Sequence, residues 1–496
     1  MGSSQKIVRG VVWSTIVNIV NAIYGFIAVP ILIRYFGKAE YGLIGLAMSV
    51  NVYMRLMDMG FNSTNVRFFS TWLTEKNHVR LLKGFQTSLS FYGVIGLVNA
   101  LILLLIAFYS QNIFHVTSEQ DVILKHLFYI LAVVAFCNWF SSCFDQLIKA
   151  TENVAWIQIR TLFTKILQII VLGVTVWGKL SIELYYVLTC LATLVIVPLS
   201  IGKIRKETPF ISFTPKFDKA IFKEMLPYCM NIFSFSLFQF SFYHLRPVFL
   251  GIQGNIESVT DFRVLNGIIN VVTMLGGAFT AILLPSTAKV VARKDKSSYY
   301  KMAYDGTKYI SILISFCCFG MMSVGSEVIT MYVGKSYLYL IPWFNVWLLC
   351  TLGTHNQAIS SLILAGTDIR AISYSSAVAS IVGLLVSWFL IPKYQIGGVC
   401  IAFVVYMAIQ LGFYYLYYWP KRMQINSWKV FSYSFMPYIL VGVLIYFAVQ
   451  LIPSLGKPFF DFLLKGIFFT IIYAITIYSF LNKVDKEFIA SIVKRK

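Results

Sequence analysis

Fourteen long apolar runs divide this chain, and they constrain its fold more than any other feature of the sequence. Each has about 17–25 residues, the length that an α-helix needs to cross a bilayer. Because 58% of the 496 residues are hydrophobic and only 12% are charged, one water-soluble core could not bury the apolar surface. The runs are too long and continuous for strands of a membrane barrel. The sequence therefore predicts an all-α polytopic membrane protein. The predicted spans are 11–33, 42–59, 84–108, 122–144, 157–178, 184–202, 226–250, 260–283, 306–326, 338–364, 371–391, 398–419, 431–452 and 459–481.

The positive charges are distributed unevenly between the two sides of the predicted membrane. With the N-terminus inside, 29 of the 41 Lys and Arg residues fall in inner segments and 8 fall in outer ones. Short cytoplasmic loops of membrane proteins carry such an excess of positive charge. The asymmetry predicts that both termini are cytoplasmic. It also accounts for most of the net charge of +21, so no nucleic-acid partner is needed to explain that charge.

A charged inner segment at 203–225 separates two halves that look weakly alike. We predict an N-terminal six-helix lobe (1–202), a cytoplasmic linker (203–225) and a C-terminal six-helix lobe (226–419). Two extra helices and a basic cytoplasmic tail (420–496) follow. Parallel repeats around a midplane cavity are typical of transporters. No loop is long enough to be a folded domain outside the membrane, so we expect any function to lie within the helices.

Polar side chains follow one face of several predicted spans, at spacings of three and four residues. Polar groups inside a membrane are costly and normally face protein or a water-filled cavity. We therefore expect these faces to line one central cavity. The candidate substrate-binding residues are Arg55, Arg246, Arg263, Lys165, Asn18, Asn51, Asn266 and Asn270, and the candidate ion-coupling residues are Asp58 and Asp145.

Four of the charged candidates have simpler explanations on their own helices. Arg55 and Asp58 are three residues apart and could form an interfacial ion pair. Lys165 could extend its side chain to the membrane surface. Asp145 could pair with Lys149, four residues later. A cavity role and a local role are both open for these residues.

Arg246 and Arg263 lie near the outer ends of their spans, where contact with lipid headgroups is the alternative. If the basic candidates do face a cavity, they outnumber the acidic ones, and a net-positive hollow of low dielectric attracts anions. Arginine matches phosphate oxygens in bidentate geometry, and the amide side chains suit sugar hydroxyls. Together these groups favour a phosphorylated glycan as the substrate.

Motifs for catalysis and for metal binding are missing from the sequence. The eight Cys residues fall inside apolar runs without a CxxC pair, and we interpret them as small core residues. His355 is interpreted as a hydrogen-bonded core histidine rather than a proton relay. No GxxxxGK[ST] motif occurs, which argues against ATP hydrolysis. We expect no enzyme activity, metal or cofactor, and an ion gradient or the membrane potential as the driving force.

Four stretches carry a resemblance to a known family. The sequence PILIRYFGKAEYGL at 30–43, followed by LMDMGF at 56–61, resembles the start of polysaccharide-export flippases of the O-antigen type. LAGT at 364–367 and LIPKYQIGGVCIA at 390–402 are similar to the signature of that family's second half. The family commonly has glycine after the tyrosine of the last stretch, whereas this chain has Gln395.

The resemblance implies a fold and a function. The family belongs with multidrug and toxin extrusion transporters and lipid II flippases, which have two six-helix lobes in a V, two extra C-terminal helices and an alternating-access mechanism. The implied substrate is an undecaprenyl-pyrophosphate-linked oligosaccharide repeat unit, flipped from the inner to the outer leaflet of the bacterial cytoplasmic membrane. Arg55 and Arg263 lie on helices 2 and 8, which contribute cavity arginines in the lipid II relatives. Membrane lipid and glycan-assembly proteins would be partners.

Two other functions stay open. An ion-coupled small-molecule antiporter of the multidrug type should have an acidic chamber for cationic drugs, whereas the candidate residues are mainly basic. A membrane glycan polymerase tends to have a large outer loop with catalytic residues, whereas the outer loops of this chain are short.

Overall fold

The chain is helical, and no strand occurs in residues 3–293, 295–365, 370–481 and 486, which the computed structural model describes. The prediction of an all-α membrane protein is confirmed. Eleven helical segments in these ranges are long and apolar enough to cross a bilayer, and α2, α10 and α11 coincide with the three remaining predicted spans. The helices are α1 (Ser3–Phe36), α2 (Lys38–Met54), α3 (Phe61–Thr74), α4 (His78–Phe108), α5 (Ser110–Phe114), α6 (Ser118–Ala150), α7 (Val154–Trp177), α8 (Ile182–Leu194), α9 (Ile196–Glu207), α10 (Lys219–Gln253), α11 (Ile256–Arg293), α12 (Lys296–Lys301), α13 (Thr307–Ser323), α14 (Gly325–Tyr332), α15 (Ile341–Thr351), α16 (Gln357–Ala365), α17 (Arg370–Tyr394), α18 (Ile396–Phe413), α19 (Ser427–Lys429), α20 (Met436–Gln450) and α21 (Pro458–Phe480).

The described residues form two compact units. The first lies within Met1–Arg263 and Ile391–Ile396, and the second lies within Val264–Leu390 and Gly397–Lys496. The predicted lobe boundaries at 203–225 and 419 stay a prediction.

Side-chain caps fix where several helices of the first unit begin. Thr117 and Gln120 form a reciprocal capping box at the start of α6, in which each side chain bonds to the backbone N–H of the other residue. Within the predicted linker at 203–225, the Asp218 carboxylate accepts hydrogen bonds from the backbone N–H groups of Ala220 and Ile221, at 2.9 and 3.2 Å. These bonds satisfy N–H groups that have no partner within the first turn.

The second predicted span breaks before it reaches the end of its apolar run. A 3₁₀ turn at Arg55–Asp58 follows α2, and Met59 and Gly60 then adopt left-handed backbone conformations with φ of 49° and 82°. A side chain at Gly60 would also approach the Cys229 carbonyl oxygen to 2.8 Å. This break turns the chain into α3 and presents Arg55 and Asp58 on a short turn.

The start of α11 belongs to the first unit because polar contacts hold it there. Lys38 Nζ, at the start of α2, lies 3.0 Å from the Asp261 carboxylate. The Gln395 side-chain oxygen accepts hydrogen bonds from the Asn255 N–H and from the Ser258 hydroxyl, both at 3.2 Å. Gln395 has a φ of 49°, the conformation that glycine adopts most easily, which fits the glycine common in the resembling family.

The second unit has an aromatic core around the end of α18 and the π-helix at Tyr414–Arg422. His355, in the 3₁₀ turn Leu352–Asn356, is buried there, and its two ring nitrogens are hydrogen-bonded to the Leu352 carbonyl oxygen and the Tyr415 hydroxyl at 3.0 and 2.7 Å. The interpretation of His355 as a hydrogen-bonded core histidine is confirmed.

The aromatic core of the first unit packs tightly where α3 meets α4. Trp72 is buried, and its indole lies directly over Gly84, where a Cβ atom would overlap with the ring. The helices can approach each other here only because position 84 has no side chain. This contact generates a stability prediction.

We expect Gly84→Ala to destabilise the protein by about 1–3 kcal/mol, the usual cost of overpacking a core. The measurement is the thermal unfolding midpoint of the purified protein in detergent. The matched control is Gly173→Ala in α7, where nothing lies within 4 Å of the added Cβ. An unchanged midpoint for Gly84→Ala would contradict the tight contact.

Candidate functional site

A cavity of about 460 Å³ lies within the first unit, and most of the residues that line it are polar. The wall combines residues from α2, the turn after it, α3, α4, α6, α7, α8 and α9, so side chains distant in sequence meet at one place. The lining residues are Asn51, Arg55, Asp58, Asn62, Asn99, Ala135, Asn138, Trp139, Ser141, Ser142, Asp145, Arg160, Thr193 and Ile196. A polar hollow among membrane-spanning helices is the usual setting of a transport site.

Four predicted site residues meet in this cavity. Asn51 and Arg55 come from α2 and the turn after it, Asp58 ends that turn, and Asp145 comes from α6. Asn51 precedes the break in the second span, and Arg55 and Asp58 lie in the turn at the break. Arg55 is exposed there.

Two predicted residues of the first unit lie elsewhere. Lys165 on α7 donates a hydrogen bond to the Gln168 side-chain oxygen at 2.7 Å, and its ammonium group lies 4.5 Å from the centre of the Tyr24 ring. Asn18 on α1 is exposed. Neither side chain lines the polar cavity.

Arg246 and Arg263 pack against aromatic rings. The Arg246 guanidinium is buried, and its central carbon lies 5.1 and 5.6 Å from the ring centres of Phe242 and Phe262. Arg263 is half-buried, and its guanidinium lies 5.9 Å from the centre of the Tyr41 ring. A buried Arg246 does not fit the alternative of contact with lipid headgroups.

The last two candidates belong to the second unit. Asn266 is half-buried and Asn270 is exposed, and both lie on α11 beyond the boundary at Arg263. They are not among the residues that line the polar cavity.

Asp145 forms a bidentate ion pair with Arg160, which is not among the predicted site residues. Arg160 Nη1 and Nη2 donate to the two carboxylate oxygens of Asp145 at 2.7 and 2.8 Å. Arg160 is only 5% exposed and also donates to the Ser200 hydroxyl. Among the described residues, the ionic partner of Asp145 is therefore Arg160 and not Lys149.

The positions of Asp145 and Arg160 near the ends of two consecutive helices are a sequence signal for this ion pair. Asp145 lies five residues before the end of α6, and Arg160 lies six residues after the start of α7. Two antiparallel helices joined by a short turn place such positions opposite each other.

Hydrogen bonds hold both carboxylate oxygens of Asp58. One carboxylate oxygen accepts from the Tyr92 hydroxyl at 2.6 Å, and the other accepts from the Asn62 backbone N–H at 3.0 Å. The same Tyr92 oxygen accepts from the Gln146 side-chain amide at 2.6 Å. Because Gln146 donates to it, the Tyr92 hydroxyl is directed to donate to Asp58.

The chain of hydrogen bonds continues behind Gln146 into the core. The Gln146 side-chain oxygen accepts from the Asn65 amide at 2.6 Å, and the Asn65 oxygen accepts from the Ser88 hydroxyl at 2.8 Å. Asn65, Ser88 and Gln146 are fully buried. Every bond in the chain points its donor toward Asp58, so the chain favours a carboxylate at that position.

The charges around the cavity balance. Arg160 and Asp145 neutralise each other, which leaves the Asp58 carboxylate and the Arg55 guanidinium as the other two charged groups of the wall. Arg55 makes no hydrogen bond or ion pair within the described ranges 3–293, 295–365 and 370–481. The cavity thus offers one available guanidinium among amide and hydroxyl groups.

The buried hydrogen-bond chain generates a second stability prediction. We expect Gln146→Leu to lower the unfolding midpoint, because it leaves Asn65 and Tyr92 each without one partner, at a cost of about 1–3 kcal/mol for each group. Thermal unfolding in detergent measures the effect.

The matched control for Gln146→Leu is Ser141→Ala. The Ser141 hydroxyl also lines the cavity and is buried, but it has no hydrogen-bond partner within the described part of the chain. We expect its loss to leave the midpoint unchanged. Equal effects of the two substitutions would show that the chain is not a stabilising network.

A family model described as "Polysaccharide biosynthesis protein" matches residues 7–291. The match is more than half of the chain, and it includes every residue that lines the polar cavity. No curated protein sequence matches the chain.

The fold is similar to those of solved transporter structures. A lipid II flippase MurJ in an inward closed conformation matches with a TM-score of 0.75 and 14% identity, covering 95% of this chain and 98% of that one. An inward-facing multidrug resistance MATE transporter of the MOP superfamily matches with a TM-score of 0.59 and 12% identity, covering 87% and 96%. The eukaryotic MATE transporter AtDTX14 matches with a TM-score of 0.56 and 12% identity, covering 87% and 99%. At such identities the likeness concerns the fold.

Proposed function

The chain belongs to the polysaccharide biosynthesis protein family, and from this membership we propose that it is a membrane flippase for a lipid-linked oligosaccharide. The proposed substrate is an undecaprenyl-pyrophosphate-linked repeat unit, moved from the inner to the outer leaflet. The family match carries the proposal, because the matched residues build the polar cavity. The fold shared with a lipid II flippase supports it.

The cavity addresses the main physical obstacle to such transport. Moving a charged headgroup through hydrocarbon without polar partners is prohibitively costly. In the proposed mechanism the lipid tail stays in the bilayer while pyrophosphate and sugars cross between helices by alternating access. Arg55 would contact pyrophosphate oxygens, and amides such as Asn51 and Asn138 would bind sugar hydroxyls.

The other predicted basic residues have a smaller part in this proposal. Lys165, Arg246 and Arg263 each contact an aromatic ring of the first unit, so they are not needed for the proposed pyrophosphate contact. Asn18, Asn266 and Asn270 stay candidates for contact with the glycan at other stages of transport.

The orientation follows from the charge asymmetry of the loops. We propose that both termini are cytoplasmic and that the protein lies in the bacterial cytoplasmic membrane. A polyprenyl-linked glycan is assembled on the cytoplasmic face in this scheme, so glycan-assembly proteins would be neighbours. The reaction is transport across the bilayer and requires no catalytic residue or cofactor.

Arg55 is the residue to test in translocation. Removing one charge-assisted contact with a phosphate costs about 1.5–3 kcal/mol, so we expect Arg55→Ala to slow transport about ten- to a hundredfold. Arg55→Lys should retain an intermediate rate, because lysine keeps the charge but loses the bidentate geometry. The assay follows a labelled undecaprenyl-pyrophosphate oligosaccharide in proteoliposomes, with an impermeant glycosidase reporting the leaflet.

The control for this experiment is Arg422→Ala. Arg422 is exposed, lies in the second unit and does not line the polar cavity. We expect it to transport like the unmodified protein. Full transport by a correctly folded Arg55→Ala protein would remove Arg55 from the mechanism, and absence of transport by the unmodified protein would contradict the proposed substrate.

The proposed driving force is an ion gradient or the membrane potential, with Asp58 as the better coupling candidate. Asp145 is already neutralised by Arg160, whereas Asp58 forms hydrogen bonds but no direct ion pair within the described part of the chain. We expect Asp58→Asn to abolish the response of transport to an imposed proton or sodium gradient while leaving downhill exchange measurable. Asp145→Asn is the comparison, and it should reduce protein stability rather than coupling alone.

A second candidate function is an ion-coupled small-molecule antiporter, as in MATE transporters of similar fold. The balanced charge of the cavity does not exclude it, because the Asp58 carboxylate could bind a cation. Uptake of a cationic dye by the same proteoliposomes discriminates the two. Dye transport without glycan transport would favour the antiporter.

A further inference from the structure

A second cavity of the first unit, of about 480 Å³, lies along a different face of α6 from the polar cavity. Cys137, Phe140 and Phe144 face this second cavity, whereas Asn138 and Asp145 of the same helix face the polar one. The two cavities are therefore separate sites that share a helix. We call the second one the apolar groove.

The apolar groove combines a hydrocarbon lining with one cation. Nine of its ten lining residues are apolar, among them Leu89, Leu194 and Ile201, and the tenth is Arg205. The groove follows α8 and α9 from Leu194 to Arg205, which lies in the last turn of α9. Its lining thus changes from apolar to cationic along the direction of a membrane-spanning segment.

Arg205 is available to a ligand. It is exposed, and its guanidinium lies 5.8 Å from the centre of the Phe213 ring, which also lines the groove. Within the described part of the chain it forms no ion pair. The neighbouring acid Glu207 is instead bound to Lys203 at 2.7 Å.

The helical segment that lines one side of the groove also carries exposed apolar side chains. Leu191, Val195 and Leu199 lie on the same helical segment and are 51%, 38% and 42% exposed. In a membrane-spanning segment such side chains face the acyl chains of the bilayer. The linker residue Phe213 and the Lys- and Arg-rich end of α9 mark the predicted cytoplasmic interface, where anionic headgroups are found.

We propose that the apolar groove binds an anionic phospholipid, with one acyl chain along α6, α8 and α9 and the phosphate group at Arg205. A zwitterionic lipid would bring an ammonium group to the guanidinium, so a net-negative headgroup such as phosphatidylglycerol matches the site better. Nothing in this proposal depends on the transported substrate, because the groove is separate from the polar cavity.

The test is native mass spectrometry of the full-length protein in detergent, titrated with phosphatidylglycerol or phosphatidylcholine. We expect the unmodified protein to retain phosphatidylglycerol preferentially. Arg205→Ala should weaken phosphatidylglycerol binding about tenfold, the effect of losing one charge-assisted contact. Arg205→Lys should retain most of the binding, since the positive charge is kept.

Two further variants separate the groove from the general surface. Leu194→Trp fills the groove and should reduce phosphatidylglycerol binding although Arg205 is present. Arg422→Ala removes an exposed arginine outside the groove and should bind like the unmodified protein. Because Arg205 and Arg422 are both exposed, we expect neither substitution to alter the unfolding midpoint.

Three outcomes would overturn the proposal. The first is equal retention of phosphatidylglycerol by the unmodified and Arg205→Ala proteins. The second is equal loss of binding in Arg205→Ala and Arg422→Ala, which would indicate nonspecific attraction. The third is that equimolar undecaprenyl phosphate displaces phosphatidylglycerol and that this displacement requires Arg205. That result would show that the groove binds the tail of a polyprenyl lipid instead.

Discussion

Polar groups placed inside a bilayer need partners within the protein, and the first unit of this structure depends on that constraint. Arg160 and Asp145 satisfy each other by a bidentate ion pair, and the Asp58 carboxylate ends a chain of hydrogen bonds through Tyr92 and Gln146. In hydrocarbon, an uncompensated charge would cost far more than any single packing contact contributes. These paired groups therefore fix how α4, α6 and α7 meet, and the remaining polar groups are free to line a cavity.

The second span does not continue as a regular helix where it lines the polar cavity. The 3₁₀ turn at Arg55–Asp58 and the left-handed residues that follow it redirect the chain into α3. Both Arg55 and Asp58 lie in this turn, and both line the polar cavity. Irregular backbone of this kind is common at functional sites.

Two different faces of α6 line the polar cavity and the apolar groove. Its polar residues, including Asn138 and Asp145, face the cavity proposed for the glycan, and its apolar residues, including Phe140 and Phe144, face the groove proposed for a phospholipid. A helix divided in this way must keep both faces in register with their neighbours. A lipid in the groove would therefore pack directly against the helix that holds the Asp145–Arg160 pair.

The sequence by itself determined the class of the protein and the places of its helices, because spans of hydrocarbon length must be helical to satisfy their backbone groups. All fourteen predicted spans are helical, and Asn51, Arg55, Asp58 and Asp145 could be selected as polar groups within or beside them. Only the tertiary structure decided which of them share a cavity. Helical periodicity shows which side chains share a face, but the partner of a face depends on how the helices pack. For that reason Arg160 was missed, and Arg246 and Lys165, equally prominent in sequence, were found packed against aromatic rings.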